Sequence, residues 1–351
     1  MMEEHSTKPS LKRPKPWIGA ERKSLSADLG LVAVDAPTGG RTLPAIIRPN
    51  VDGVELTTWA ERNRAFIDSH LATHGALLFR GFDGADLSGL ATFVKATSGD
   101  LLEYRERSSP RTRVTDNIYT STEHPAHQSI FFHNENSYAH TWPLKLYFLC
   151  SVGPQAGGET PIADCRQIYR ALDPTIRDTF ARKRVLYVRN FSDELGLPWQ
   201  TVFGTSDRDA VSATCRDAGY EIEWVGRNGL RTQRVGQAVA RHPRTGEMSW
   251  FNHATFFHVS TLESDVRDAL LEQYGEDRLP NNTYYGDGSP IEPSVLDDLR
   301  QSYADASVMF AWQQGDVMLV DNLLVAHARQ PFEGPRKIHV AMSGPCTEHD
   351  V

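Results

Sequence analysis

The residues best equipped to do chemistry together are His133 and Glu135, in Phe131-Phe132-His133-Asn134-Glu135-Asn136-Ser137-Tyr138, with His327 far downstream. On a strand, residues i and i+2 point to one face, so an imidazole and a carboxylate would converge there. Two histidines and one carboxylate make a facial ligand set that leaves positions open on Fe(II) for a co-substrate and O2. The bare spacing is weak. With 13 His and 45 acidic residues in the chain, composition alone gives roughly one or two His-x-acid matches. The pair therefore reads equally as a surface salt pair or a satisfied core histidine. His327 closes the apolar run that follows the turn signal Asp321-Asn322, and it reads either as a third ligand or as core.

Arg336 opens the last strand candidate, nine residues beyond His327. A guanidinium buried beside a metal needs an anion, and a dicarboxylate chelating the metal through one end offers the other end bidentately. The alternative is a surface cation beside Lys337. Thr160 follows the turn Gly157-Gly158-Glu159 and either donates to the same carboxylate or is a plain hairpin residue. Trp250, Asn252 and His253 sit in an aromatic-rich stretch with Phe256 and Phe257. Buried aromatics are ordinarily core, but these three are the candidate substrate contacts. Arg105, Arg107, Arg111 and Arg113 lie in the polar stretch 102–128. They either meet a carboxylate substrate or form a solvated basic loop.

The elements that must position these groups are short strands punctuated by turns. Strands are expected at Leu43–Arg48, Ala76–Phe79, Lys145–Val152, Val185–Arg189, Tyr220–Val225, Arg231–Ala240 and Glu247–Phe251. Closing strands are expected at Val308–Trp312, Asp316–Val320, Leu324–His327 and Lys337–Met342. Helical spacing covers Trp59–His74, Asp86–Thr97, Arg166–Lys183, Ser264–Tyr274 and Pro293–Ala306, with an insertion over 192–216 carrying a helix at Asp207–Asp217. Stretch 102–128 reads as a long loop. Many short strands with interspersed helices suggest an α+β, mainly β chain: one jelly roll with flanking and inserted helices over 31–351, behind an irregular extension at 1–30.

The 351 residues are 40% hydrophobic and 23% charged, ordinary globular composition. A net charge of −8 with pI near 5.9 argues against nucleic acid as the main partner. No apolar run approaches the ~20 residues of a membrane span. The basic N-terminal segment has no apolar core of a signal peptide. Cys150, Cys165, Cys215 and Cys346 show no CxxC spacing and read as free thiols in a reducing cytoplasm.

Four motifs in order, Phe132-His133-Asn134-Glu135, Gly157-Gly158-Glu159-Thr160-Pro161, Trp250-Phe251-Asn252 and Asp321-Asn322…His327-Ala328-Arg329…Arg336, resemble the taurine-dioxygenase-like superfamily of Fe(II)/2-oxoglutarate-dependent oxygenases. The flavour is that of the clavaminate-synthase-like and syringomycin-hydroxylase-like branch, and the resemblance covers about residues 30 to 345. It implies a double-stranded β-helix whose mouth holds iron on His133, Glu135 and His327, with Arg336, or else Arg329, and Thr160 on the distal carboxylate of 2-oxoglutarate. It implies that O2 and 2-oxoglutarate are consumed to oxidise a C–H bond of a small amino-acid-like substrate, free or tethered to a carrier protein. The presence of Glu135 favours hydroxylation over halogenation. Desaturation, cyclisation or epimerisation would use the same ligands. Two readings of other kinds are a non-catalytic jelly-roll binding protein and a zinc hydrolase, the latter without an HExxH motif. The oligomeric state is not legible.

Overall fold

The computed structural model describes residues 30–37, 43–104, 106, 108–122 and 124–351. The expected extension lies outside them apart from Gly30, as do Arg105 and Arg107.

Two sheets face each other. The larger has eight strands in the order Val32–Asp35, Ala45–Pro49, Ala76–Phe79, Val317–Asp321, Thr141–Val152, Lys337–Thr347, Ile118–Thr120, Arg113–Thr115. Its pairings are antiparallel except Ala45–Pro49 on Ala76–Phe79. The smaller has four strands in the order Ser307–Val308, Ile162–Asp164, Val325–Arg329, Ile130–His133.

The two-residue period of the strands divides the core. Leu77, Phe79, Tyr147, Leu149 and Leu319 point outward, onto Trp59, Ile67, Leu90 and Phe93 of the helices Leu56–Arg62, Arg64–His74 and Leu87–Ser98. Their neighbours Leu78, Phe148, Met318 and Val320 point inward with Ile162 and Val325 of the smaller sheet. The chamber described below opens within this inter-sheet layer. A separate four-stranded sheet, Glu221–Val225, Gly229–Gly236, Val185–Phe191 and Asn281–Tyr285, carries the inserted helices Trp199–Phe203 and Arg208–Asp217.

Several expectations are corrected. The single helix expected over Trp59–His74 is two helices meeting at Asn63, whose side chain donates to the carbonyl of Trp59 at 2.8 Å. Arg166–Lys183 also divides, because Asp173 caps a new helix that begins with Pro174, a residue that suits a first turn but not a helix interior. Of Val308–Trp312 only Val308 is in a strand; Trp312 instead donates from Nε1 to Thr160 Oγ1 at 3.0 Å. Arg231–Ala240 is broken between Gly236 and Val239. Stretch 102–128 is not a plain loop: it holds a hairpin, Arg113–Thr115 with Ile118–Thr120, at the edge of the large sheet. Its turn residues Asp116 and Asn117 take φ of +31° and +60°, a conformation tolerated best by Asp, Asn and Gly.

Candidate metal centre

His133 and His327 stand directly opposite each other in the antiparallel pair Ile130–His133 and Val325–Arg329. Their rings lie 4.3 Å apart. Glu135 is not on that strand, contrary to the i, i+2 expectation. The strand ends at His133, and Glu135 sits in the turn that follows, closed by Ser137 N–H to Asn134 C=O at 3.2 Å. Turn geometry rather than pleat alternation swings the carboxylate back. One potential ligand atom from each of His133, Glu135 and His327 lies within 4.8 Å of the other two, and all three residues are buried.

The turn is clamped from the opposite strand pair. Glu135 N–H donates to Asn322 Oδ1 at 2.8 Å, and Asn322 Nδ2 donates to the carbonyls of Glu135 (2.9 Å) and Pro143 (2.8 Å). Asn134 Nδ2 donates to the carbonyls of Asn322 and Val325. Asp321 accepts from the N–H groups of Leu323 and Leu324 and pairs with His242 at 2.9 Å. Asp321-Asn322 is thus a turn, as its residue types suggest, and also the brace of the carboxylate.

The donor set suits a divalent cation. His133 Nδ1–H donates to the carbonyl of Phe131 at 2.9 Å, which fixes the tautomer and frees Nε2 as a lone-pair donor. Burial lowers the pKa of His133, partly opposed by Glu135, and lowers that of His327 well below the usual value, with His133 and Arg111 adding to it. Both imidazoles are neutral near pH 7, the form a metal needs. Phe256 stacks on His133 at 4.7 Å, and Phe148 meets His327 edge-on at 5.1 Å.

Arg111, His133, Thr160, His327, Arg329 and Arg336 line one chamber. Arg336 donates from Nε to the carbonyl of Gly158 at 2.9 Å and from Nη2 to Thr160 Oγ1 at 3.3 Å. Burial, and then repulsion from Arg329, pull its pKa down to about 10. Arg329 is committed elsewhere: Nη1 and Nη2 donate to the carbonyls of His124, Pro125 and Gln128 at 3.0, 2.7 and 2.7 Å. It ties down the approach to the ligand strand.

The substrate candidates separate. Trp250 is fully buried, edge-on to Phe180 at 5.1 Å, and does not reach the chamber. Asn252 donates to the carbonyl of Ala238 and accepts from Ala254 N–H, a purely local role. His253 lies beside the centre: its ring is 5.8 Å from that of His133, and Nδ1 meets Ser137 Oγ at 2.6 Å. Arg111, one of the four loop arginines read as either meeting a carboxylate substrate or being solvated, is neither exposed nor unpaired: its Nη2 donates to Glu135 Oε2 at 2.7 Å while both side chains are 3% exposed. Burial opposes its charge, and Glu135 more than offsets that, so its pKa is raised. Its place in a polar stretch left a carboxylate contact and a solvated loop both open, and gave no sign of the pair with Glu135.

The fold and this ligand geometry define a class. The chain belongs to the taurine catabolism dioxygenase TauD, TfdA family, whose family model matches residues 37–342. It is accordingly an Fe(II)/2-oxoglutarate-dependent dioxygenase that uses O2. Within that class it is 39% identical over 279 residues to the dapdiamide synthesis protein DdaC of Enterobacter agglomerans, covering 80% of this chain and 85% of that one. A clavaminate synthase-like protein of Arabidopsis thaliana is 28% identical over 317 residues, covering 87% and 91%. The fold matches PvcB, an Fe, alpha-ketoglutarate dependent oxygenase from an isonitrile synthetic pathway, at a TM-score of 0.55 and 16% identity, covering 94% of this chain and 98% of that one. A taurine dioxygenase from Burkholderia xenovorans matches at 0.51 and 15%, covering 92% and 93%. Among the described residues no helix is long and apolar enough to cross a membrane, and the four cysteines are free and buried.

Proposed function

We propose that this oxygenase hydroxylates an unactivated C–H bond of a small amino-acid-like molecule, free or carrier-tethered, in cytoplasmic specialised metabolism. The observation that carries the reading is the convergence of His133, Glu135 and His327, of which the two histidines share a chamber with Arg336 and Thr160. In this reading His133 Nε2, His327 and Glu135 hold the iron. Arg336 and Thr160 take the distal carboxylate of 2-oxoglutarate, since Arg336 keeps open donors where Arg329 has spent Nη1 and Nη2 on carbonyls. Bound iron with the keto acid and O2 supplies the oxidising power. The protein's share is placement: the Asn322 clamp fixes Glu135, Phe148 and Phe256 wall the histidines with apolar surface, and His253, held by Ser137, packs against His133 from behind the chamber lining. The specialised-metabolism assignment is supported by the likeness to a dapdiamide synthesis protein.

The test is an anaerobic screen. Protein, Fe(II) and 2-oxoglutarate are mixed with candidate amino-acid derivatives, free and as carrier thioesters, and then O2 is admitted. Mass spectrometry should show succinate and a product heavier by one oxygen. Loss of two hydrogens instead would replace hydroxylation with desaturation or cyclisation. No succinate above the uncoupled rate with any member of the panel would remove the amino-acid-like substrate class.

A further inference from the structure

Arg111 is more than a partner for Glu135. It precedes the edge hairpin, where Thr112 N–H donates to Thr120 Oγ1 at 3.0 Å and Thr120 N–H donates to the Thr112 carbonyl at 2.9 Å. The guanidinium rests over the Tyr104 ring at 4.7 Å. One nitrogen, Nη2, is engaged by Glu135. The other two, Nε and Nη1, are buried and meet no acceptor among the described residues. The residue is 7% exposed and lines the chamber. A guanidinium has five N–H donors in a rigid plane, and leaving them unpaired in a dry site costs far more than leaving a hydroxyl unpaired.

The charges of the chamber point the same way. Arg111, Arg329 and Arg336 line the chamber; Glu135 pairs with Arg111, and Glu159 lies close enough to Arg336 to act on it. Three positive groups against two negative leave an excess of one before a divalent cation adds two more. A keto diacid removes two. One positive charge remains, and Arg111 is the cation with open donors nearest the metal ligands.

We infer that Arg111 forms a carboxylate-binding site beside the metal, held in place by Glu135 and separate from the Arg336–Thr160 site. The carboxylate comes either from the metal-proximal end of the keto acid or from the substrate. The inference rests on the metal site proposed above.

The test uses the full chain under argon with Co(II) in place of Fe(II), wild type beside Arg111→Gln and Arg111→Lys. Co(II) titration reports the metal site. 2-Oxoglutarate and 2-oxopentanoate, which lacks the distal carboxylate, are then titrated against the visible spectrum of bound Co(II). If the keto acid supplies the carboxylate, Arg111→Gln weakens both acids equally, by about 10- to 100-fold, whereas Arg336→Ala weakens only the diacid. If the substrate supplies it, both keto acids bind normally. Arg111→Gln then abolishes a spectral response that wild type gives to L-amino acids and not to their amides. Arg111→Lys keeps the charge and recovers part of the effect in either case; should the Gln variant melt early, the Lys variant carries the comparison. Unchanged titrations throughout would overturn the inference. So would an Arg111→Gln protein that loses Co(II) while melting like wild type, since the arginine would then serve Glu135 alone. Wild-type protein that binds neither Co(II) nor 2-oxoglutarate would sink the functional reading above instead.

Discussion

At the scale of single residues, the two arginines that the sequence left in competition have different jobs. Arg336 shares Thr160 Oγ1 with Trp312 and faces the chamber. Arg329 holds three backbone carbonyls of the segment before the ligand strand. Arg336→Ala should therefore raise the KM for 2-oxoglutarate by about 10- to 100-fold with little change in melting temperature. Arg329→Ala should do the reverse, costing about 1–3 kcal/mol of stability for the unpaired carbonyls with a smaller effect on KM. Steady-state succinate assays and thermal melts on both variants check the ranking, and the opposite ranking would exchange the roles. His133→Ala and His327→Ala should each remove stoichiometric Co(II) binding while the fold survives, read by titration and circular dichroism. Retained stoichiometric binding would take that histidine out of the ligand set.

At the scale of elements, the carboxylate depends on a turn braced by another turn. Asn322→Ala leaves the buried N–H and C=O of Glu135 and the carbonyl of Pro143 without partners. A loss of about 2–4 kcal/mol follows, with metal affinity falling about 10- to 100-fold, the usual effect of losing an outer-sphere support. Chemical denaturation and Co(II) titration measure both. Unchanged metal affinity would show that Glu135 is held by other contacts. Much of this layout was legible beforehand. The many short strands punctuated by turns suggested the jelly roll, and His133, Glu135 and His327 could be picked out by type and order. What was not legible had a physical cause. Asn63 and Asp173-Pro174 break helices whose apolar spacing runs on unbroken, and periodicity is blind to caps. The side chain of Glu135 converges with the two histidines because the strand stops, and spacing two positions apart suggests the same convergence for a different reason. Nothing local separated Arg111 from the other arginines of its stretch, because its partner Glu135 lies beyond a hairpin and its burial is created by the fold.

At the scale of the whole molecule, buried histidines make stability depend on pH. Burial lowers the pKa of His133, His253 and His327, and that of His258 to about 4. In the unfolded chain these groups titrate near 6.5. A lowered native pKa means the unfolded state binds protons first, so stability is full above about 6.5 and declines as pH falls toward the native values. The metal-free protein should melt progressively earlier from pH 7 to pH 5, and saturation with Co(II) should restore part of the loss at the upper end of that range. A melting temperature flat over that interval would show these imidazoles to be solvated.

The brace between Asn322 and Glu135 spans 187 positions, and His327 comes later still. A growing polypeptide on the ribosome therefore owns one histidine and one acid of the trio long before the last arrives. If the trio holds the iron, an unfinished chain has no complete seat for it. Loading would then follow the pairing of two distant strands, as a late step of maturation.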